Sequence, residues 1–182
     1  LRKIEYERVN PVWDSGNYVL MENIDDKSCL DAINFIQYHN LKESPLDSLT
    51  LVVNTPGGSV SAAFALIDVM KTSKIPVDTL AIGSIASCGV LITMAGRERS
   101  ISENCMVMSH QYSWGSSGKH QDLLSARKAQ DITHERILNH YHRCTKKSRK
   151  FIEKNLLPHE DVWLTPPEAV GMGIVDSITK IY

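Results

Sequence analysis

Three short stretches of this 182-residue chain combine residue types that could carry out nucleophilic chemistry. The segment Gly83-Ser84-Ile85-Ala86-Ser87-Cys88-Gly89 places small residues between two apolar runs. A serine where a buried strand gives way to a helix stands at the helix N-terminus. The free backbone N–H groups and positive end found there suit the stabilisation of an oxyanion beside a nucleophilic hydroxyl. The same residues can also be read as Ser and Gly capping a core helix. The G-x-S-x-G elbow is absent, because position 85 is Ile. The second stretch is Pro56-Gly57-Gly58, whose glycines let the backbone turn sharply and aim its N–H groups at an open cleft. The third is His110, which follows the apolar run 105–109 and precedes the polar, Gly-containing stretch 111–118. A histidine at a strand end is placed to act as a base, and a satisfied core histidine fits the same position.

These residues need a scaffold, and the apolar pattern supplies one. Residues 49–53 form a β-branched apolar run that predicts a strand buried on both faces of a parallel sheet. It ends at Asn54-Thr55-Pro56-Gly57-Gly58, a turn signal. Val60, Phe64, Ile67 and Met70 then recur at helical spacing, and residues 77–82 predict the next strand, broken by Gly83. A buried helix over 88–95 and a strand over 105–109 repeat the unit, so the fold class is α/β. In a parallel sheet the strand C-termini line the ligand crevice. Three successive strand ends therefore bring together a glycine turn, a serine and a histidine, a nucleophile-plus-base pattern that does not yet name an orienting acid.

Around this centre, residues 18–20 predict a short strand, and Asp25 and Asp26 open a helix through Leu30, Ile33, Phe35 and Ile36. A long amphipathic helix is expected from about 120 to 144, a shorter one over 148–155, and a closing strand over 174–178. Thr165-Pro166-Pro167-Glu168 is a capping-box sequence with proline at the first helical position. No repeat or low-complexity segment interrupts the chain, which is expected to form a single domain over 1–182 with 1–17 poorly assigned.

Composition narrows the function classes. Hydrophobic residues make up 42% and charged residues 23%, as in an ordinary globular protein. Twenty Lys and Arg against 21 Asp and Glu leave a net charge of −1, with no surplus to draw the protein to nucleic acid. The four cysteines, Cys29, Cys88, Cys105 and Cys144, form no C-x-x-C pair, which points to reduced thiols in a cytoplasm. His134, His140 and His142 lack the i, i+4 step that aligns metal ligands on a helix face, so no metal and no cofactor are expected. The uncharged run 79–96 is long enough to raise a membrane span, yet Gly83, Ser84, Ser87 and Gly89 break it into a strand, turn and helix. The chain opens with Leu1 and not with a signal-peptide pattern, which is read as a processed or trimmed product.

Four ordered motifs resemble those of the Clp protease proteolytic subunits, the ClpP family. They are Asn54-Thr55-Pro56-Gly57-Gly58-Ser59-Val60, Gly83 to Gly89 as above, Met108-Ser109-His110-Gln111, and the closing block Asp161-Val162-Trp163-Leu164-Thr165-Pro166-Pro167-Glu168-Ala169-Val170 followed by Gly173-Ile174-Val175-Asp176-Ser177. The resemblance implies a serine endopeptidase with Ser87 as nucleophile, His110 as general base and then acid, and Asp161 orienting the imidazole. It implies an oxyanion hole from the N–H groups of Gly57 and Cys88, and an extended substrate held by strand addition beside Gly58, Ser59 and Ser113. The implied fold is a crotonase-like spiral of ββα units with a long handle helix. The implied assembly is two stacked heptameric rings of this chain, fed unfolded polypeptide by an AAA+ Clp unfoldase.

Rivals to these assignments are Ser84 for the nucleophile and Asp176 for the acid. Cys88 stands where the family usually has Met, and Tyr112-Ser113-Trp114-Gly115 replaces a Pro-Leu-Gly-Gly type of loop. An acyl-CoA hydratase-like member of the crotonase fold would need no Ser-His-Asp set, and an inactive structural ring subunit would have lost one of its members.

Overall fold

The computed structural model describes residues 11–180, so most of the poorly assigned segment 1–17 lies outside the described residues. In chain order the elements are α1 (Pro11–Asp14), β1 (Asn17–Leu20), α2 (Asp26–Asn40), β2 (Leu49–Thr55), α3 (Val60–Thr72), β3 (Val77–Ala86), α4 (Cys88–Met94), β4 (Arg99–Ser102), β5 (Met106–Ser109), α5 (His120–Thr145), α6 (Arg149–Asn155), β6 (Val162–Leu164), α7 (Pro166–Met172) and β7 (Ser177–Thr179). The sheet runs β1-β2-β3-β4-β7 with every neighbouring pair parallel. β5 joins parallel to the far end of β3, and β6 pairs antiparallel with β5. The α/β class is as the alternation of apolar runs predicted.

Local sequence explains the helix starts. Asp25 caps α2 by accepting from Ser28 N at 2.8 Å, while Ser28 Oγ accepts from Asp25 N at 3.0 Å. That reciprocal pair satisfies two donors a helix start otherwise leaves open. Ahead of α7, Glu168 accepts from Thr165 N at 2.8 Å, as the Thr-Pro-Pro-Glu pattern predicted.

β2 corrects the expectation of a strand sealed on both faces. Leu49, Leu51, Val53 and Thr55 are buried, but Thr50, Val52 and Asn54 between them are only half-buried. α2 packs on β1, and α4 on β2 and β3, so the helices seal one face and leave the other partly open in this chain.

β3 corrects a second expectation, because it does not stop at residue 82. Gly83 adopts φ +58°, a left-handed value open to glycine at no steric cost. The strand bends there and continues to Ala86. The step from Val53 to Thr55 on β2 is matched by the step from Ala81 to Ile85 on β3, which is a bulge. Before the bulge, Thr79–Ala81 pair with Arg99–Ile101 of β4; after it, Ser84–Ala86 pair with Met106–Met108 of β5. The short strands β4 and β6 have no counterpart in the sequence reading, and the closing strand falls at 177–179 instead of 174–178. Ile174 and Val175 are buried core residues just ahead of it.

α5 is the long helix expected from residue 120. Its buried residues begin only at Ile137, and Leu123, Leu124 and Ile132 are exposed. Among the described residues no helix is long and apolar enough to cross a membrane.

Candidate active site

The bulged end of β3 delivers Ser87 to its position. Ser87 is the N-cap of α4 and takes φ +54° and ψ −117°, a conformation a non-glycine residue holds only when its surroundings over-determine it. Those surroundings are specific. Ser87 N donates to Met108 O at 2.9 Å, extending the β3–β5 ladder by one step, and Ser87 O accepts from Val90 N at 3.0 Å inside α4. Gly57, at φ +97°, lies directly against Ser87, Ala86 and Cys88.

His110 follows Ser109, the last residue of β5, and Asp161 precedes Val162, the first of β6. Since Ser109 pairs with Val162 across the antiparallel ladder, the next opposite residues are His110 and Asp161. Their side chains meet, with Nδ1 of His110 3.5 Å from Oδ1 of Asp161. That separation is long for a hydrogen bond, as is common before substrate tightens a site. Nε2 of His110 is buried without a hydrogen-bond partner among the described residues. His110 and Ser87 both line a cavity of about 20 Å³, walled further by Val60, Leu91, Tyr112 and Tyr141.

The residues flanking His110 are anchored to the chain after α6. Ser109 Oγ donates to Leu156 O at 2.5 Å and shares a 2.7 Å hydrogen bond with Tyr141 OH, while Gln111 Nε2 donates to Leu157 O at 2.9 Å. Burial pushes the Tyr141 hydroxyl far above its usual pKa, so it stays protonated. These supports join residues far apart in sequence and have no sequence motif; only the polar type of Ser109 and Tyr141 in apolar company hints at them.

The two glycines of the turn differ. Gly57 N–H donates to Thr55 Oγ1 at 3.1 Å, and Thr55 Oγ1 donates in turn to Glu22 O at 2.5 Å. A donor held in this way is not open to an oxyanion. At Gly58 the backbone forms a bridge to Ile24 in which Ile24 N donates to Gly57 O and Ser59 N donates to Ile24 O. The N–H of Gly58 itself faces the opposite side and has no protein acceptor among the described residues. Of the two glycines, Gly57 thus has its N–H occupied by Thr55, while Gly58 N–H has no protein acceptor among the described residues.

Ser59 makes local hydrogen bonds of its own. Its N–H is held by Ile24 O at 2.7 Å, its carbonyl accepts from Ala63 N at 3.0 Å, and its hydroxyl caps α3 through Ala62 N at 3.2 Å. No main-chain group of Ser59 is left to pair with a substrate. Ser113 is exposed in a segment without strand structure. The Cys88 thiol is buried, donates to Gly58 O at 3.2 Å, and is pushed up in pKa by that burial.

The rival residues lie in other surroundings. Ser84 lies within β3, its N–H directed to Asn54 Oδ1 at 3.4 Å. Asp176 is clamped by Arg99, accepting from its backbone N at 2.9 Å, its Nε at 3.0 Å and its Nη2. Two of the three histidines considered for metal are held by carbonyls: buried His140 has Nε2 2.9 Å from Leu91 O and a pKa lowered by burial to about 4, and His142 has Nδ1 2.7 Å from Lys147 O.

Comparison with known proteins follows the same lines. A family model described as Clp protease matches residues 3–181. The chain is similar to the ATP-dependent Clp protease proteolytic subunit 1 of Chlamydia abortus, 35% identical over 172 residues, which cover 92% of this chain and 88% of that protein. The protein of the same name from Chlamydia muridarum is 35% identical over 170 residues, covering 91% and 86%. That from Chlamydia pneumoniae is 36% identical over 162 residues, covering 86% and 83%.

Proposed function

This chain belongs to the Clp protease family and is a serine endopeptidase, and from that premise we propose that Ser87, His110 and Asp161 are its catalytic triad. The observation that carries the reading is the β5–β6 register. It sets His110 Nδ1 beside Asp161, while His110 and Ser87 line one small cavity. In the reaction Ser87 Oγ attacks the scissile carbonyl carbon while His110 Nε2 takes its proton. The tetrahedral intermediate collapses, the C–N bond breaks, and His110 returns the proton to the leaving amine. Water, deprotonated by His110, then attacks the acyl ester and releases Ser87. Asp161 holds the imidazole in one tautomer and offsets its transient positive charge. The oxyanion is received by the N–H groups of Cys88 and Gly58, at the positive end of α4. An extended peptide lies along Gly58 and the segment containing Ser113, read largely through its backbone.

Oligomeric assembly and association with a Clp ATPase belong to the same reading, as the name of the similar chlamydial proteins implies. The exposed Leu123, Leu124 and Ile132 on α5 favour contact with further copies, and two heptameric rings enclosing a chamber are the proposed arrangement. Four unpaired thiols suit a reducing cytoplasm. A fluorophosphonate probe tests the nucleophile: Ser87→Ala should abolish labelling and peptide hydrolysis, and retained labelling lost instead in Ser84→Ala would assign the reaction to the wrong serine.

A further inference from the structure

The cavity beside Ser87 and His110 holds about 20 Å³, room for one water-sized group. Tyr112 forms one of its walls. The same tyrosine, with Ile137, also lines a neighbouring cavity of about 270 Å³ whose other walls include Trp114, His134 and Leu157. Tyr112 and Ile137 thus border both the very small space at the reacting groups and the larger neighbouring one. The Tyr112 ring is held in place: it is half-buried against the core, and its hydroxyl donates to Gln130 O in α5 at 2.8 Å. Burial raises the Tyr112 pKa, which keeps that hydroxyl a donor.

A substrate carbonyl attacked by Ser87 brings its own Cα substituent against the residues that line this cavity. We propose that Tyr112 is the specificity-determining residue for the side chain on the acyl side of the scissile bond, restricting it to Gly, Ala or Ser. A larger group would have to displace a latched aromatic ring from a packed site. Removing the ring would widen the small cavity and admit a bulkier side chain. The inference rests on the Ser87–His110 reading above.

The test uses the purified full chain and two fluorogenic peptides identical except for Ala or Phe before the coumarin leaving group. The wild-type protein should show kcat/KM for Ala above that for Phe by about tenfold or more, the scale on which small apolar pockets discriminate. Tyr112→Ala should raise the Phe-to-Ala ratio by about tenfold or more. Tyr112→Phe, which keeps the ring but loses the latch to Gln130, should raise it less. Tyr112→Val serves the same purpose if the alanine variant does not assemble. A wild-type preference for Phe, or an unchanged ratio in the Ala or Val variant, overturns the proposal. Labelling of wild-type Ser87 by the fluorophosphonate separates the two readings. With labelling intact, an unchanged ratio removes only the role of Tyr112; without labelling, the nucleophile itself is wrong.

Discussion

Gly57 approaches Ser87 so closely that a Cβ built on it would stand 2.7 Å from Ser87 Cβ, 2.8 Å from Ala86 O and 3.1 Å from Cys88 N. None of these is a flexible side-chain tip that could move away. At φ +97° an alanine would also meet the penalty of a left-handed backbone, about 1–2 kcal/mol. Gly57→Ala should therefore push the nucleophile and the start of α4 out of position. The expected result is a folded protein whose peptide hydrolysis falls at least tenfold; undiminished kcat would show that the turn and Ser87 are not coupled.

Asp161 and Asp176 separate by phenotype. Asp161→Asn should leave assembly intact and slow turnover by roughly 10²–10⁴-fold, since an amide facing His110 Nδ1 favours the wrong tautomer. Asp176→Asn should leave the chemistry in place and weaken the clamp on Arg99, which also donates to Gly173 O at 2.9 Å. Steady-state kinetics and thermal unfolding on both variants check this, and interchanged phenotypes would make Asp176 the orienting acid.

The same clamp has a pH signature. Hydrogen bonds from Arg99 hold the Asp176 carboxyl below its usual pKa, so the folded state binds that proton less readily than the unfolded chain does. A depressed carboxylate contributes stability above its unfolded pKa of about 3.9, and that contribution disappears as pH falls through the lower folded value. The difference in melting temperature between wild type and Asp176→Asn should be full at pH 7 and should shrink below about pH 4. A constant difference across that range would show that the carboxylate charge is not what Arg99 recognises.

Substrate state provides a further prediction. The chain lacks a G-x-x-x-x-G-K-[ST] nucleotide loop, and a folded domain stable by about 5–15 kcal/mol rarely offers an extended segment. The purified protein, without ATPase or nucleotide, should cleave short peptides and a permanently unfolded reporter while sparing the same reporter in its folded form. Equal degradation of both forms would refute an enclosed chamber.

How far the sequence carried the reading depended on what each feature rests on. α2, α3, α5 and α7 were legible because caps and apolar periodicity are local. β4 and β6 were not, since Arg99–Ser102 and Val162–Leu164 carry no sustained apolar run and gain their identity from partners distant in sequence. Gly83 was legible as a break but not as a bulge, because a left-handed glycine suits both and only the pairing with β5 decides between them. The motifs pointed to Ser87, His110 and Asp161, whereas their approach follows from the β3–β5 and β5–β6 ladders. Gly57 and Gly58 were indistinguishable as donors in sequence; the hydroxyl of Thr55 and the bridge to Ile24 tell them apart.

The bulge at Gly83 also governs where this chain can change in length. Between Ala81, paired with β4, and Ile85, paired with β5, one residue added or lost would slip the register of the strand that ends at Ser87 and turn its side chains to opposite faces. An insertion of a single residue there should be lethal to activity. The exposed stretch 115–118, which pairs with no strand, can absorb insertions and deletions without disturbing either ladder. Variation in length among descendants of this sequence should therefore collect on the far side of His110 and never between Ala81 and Ser87.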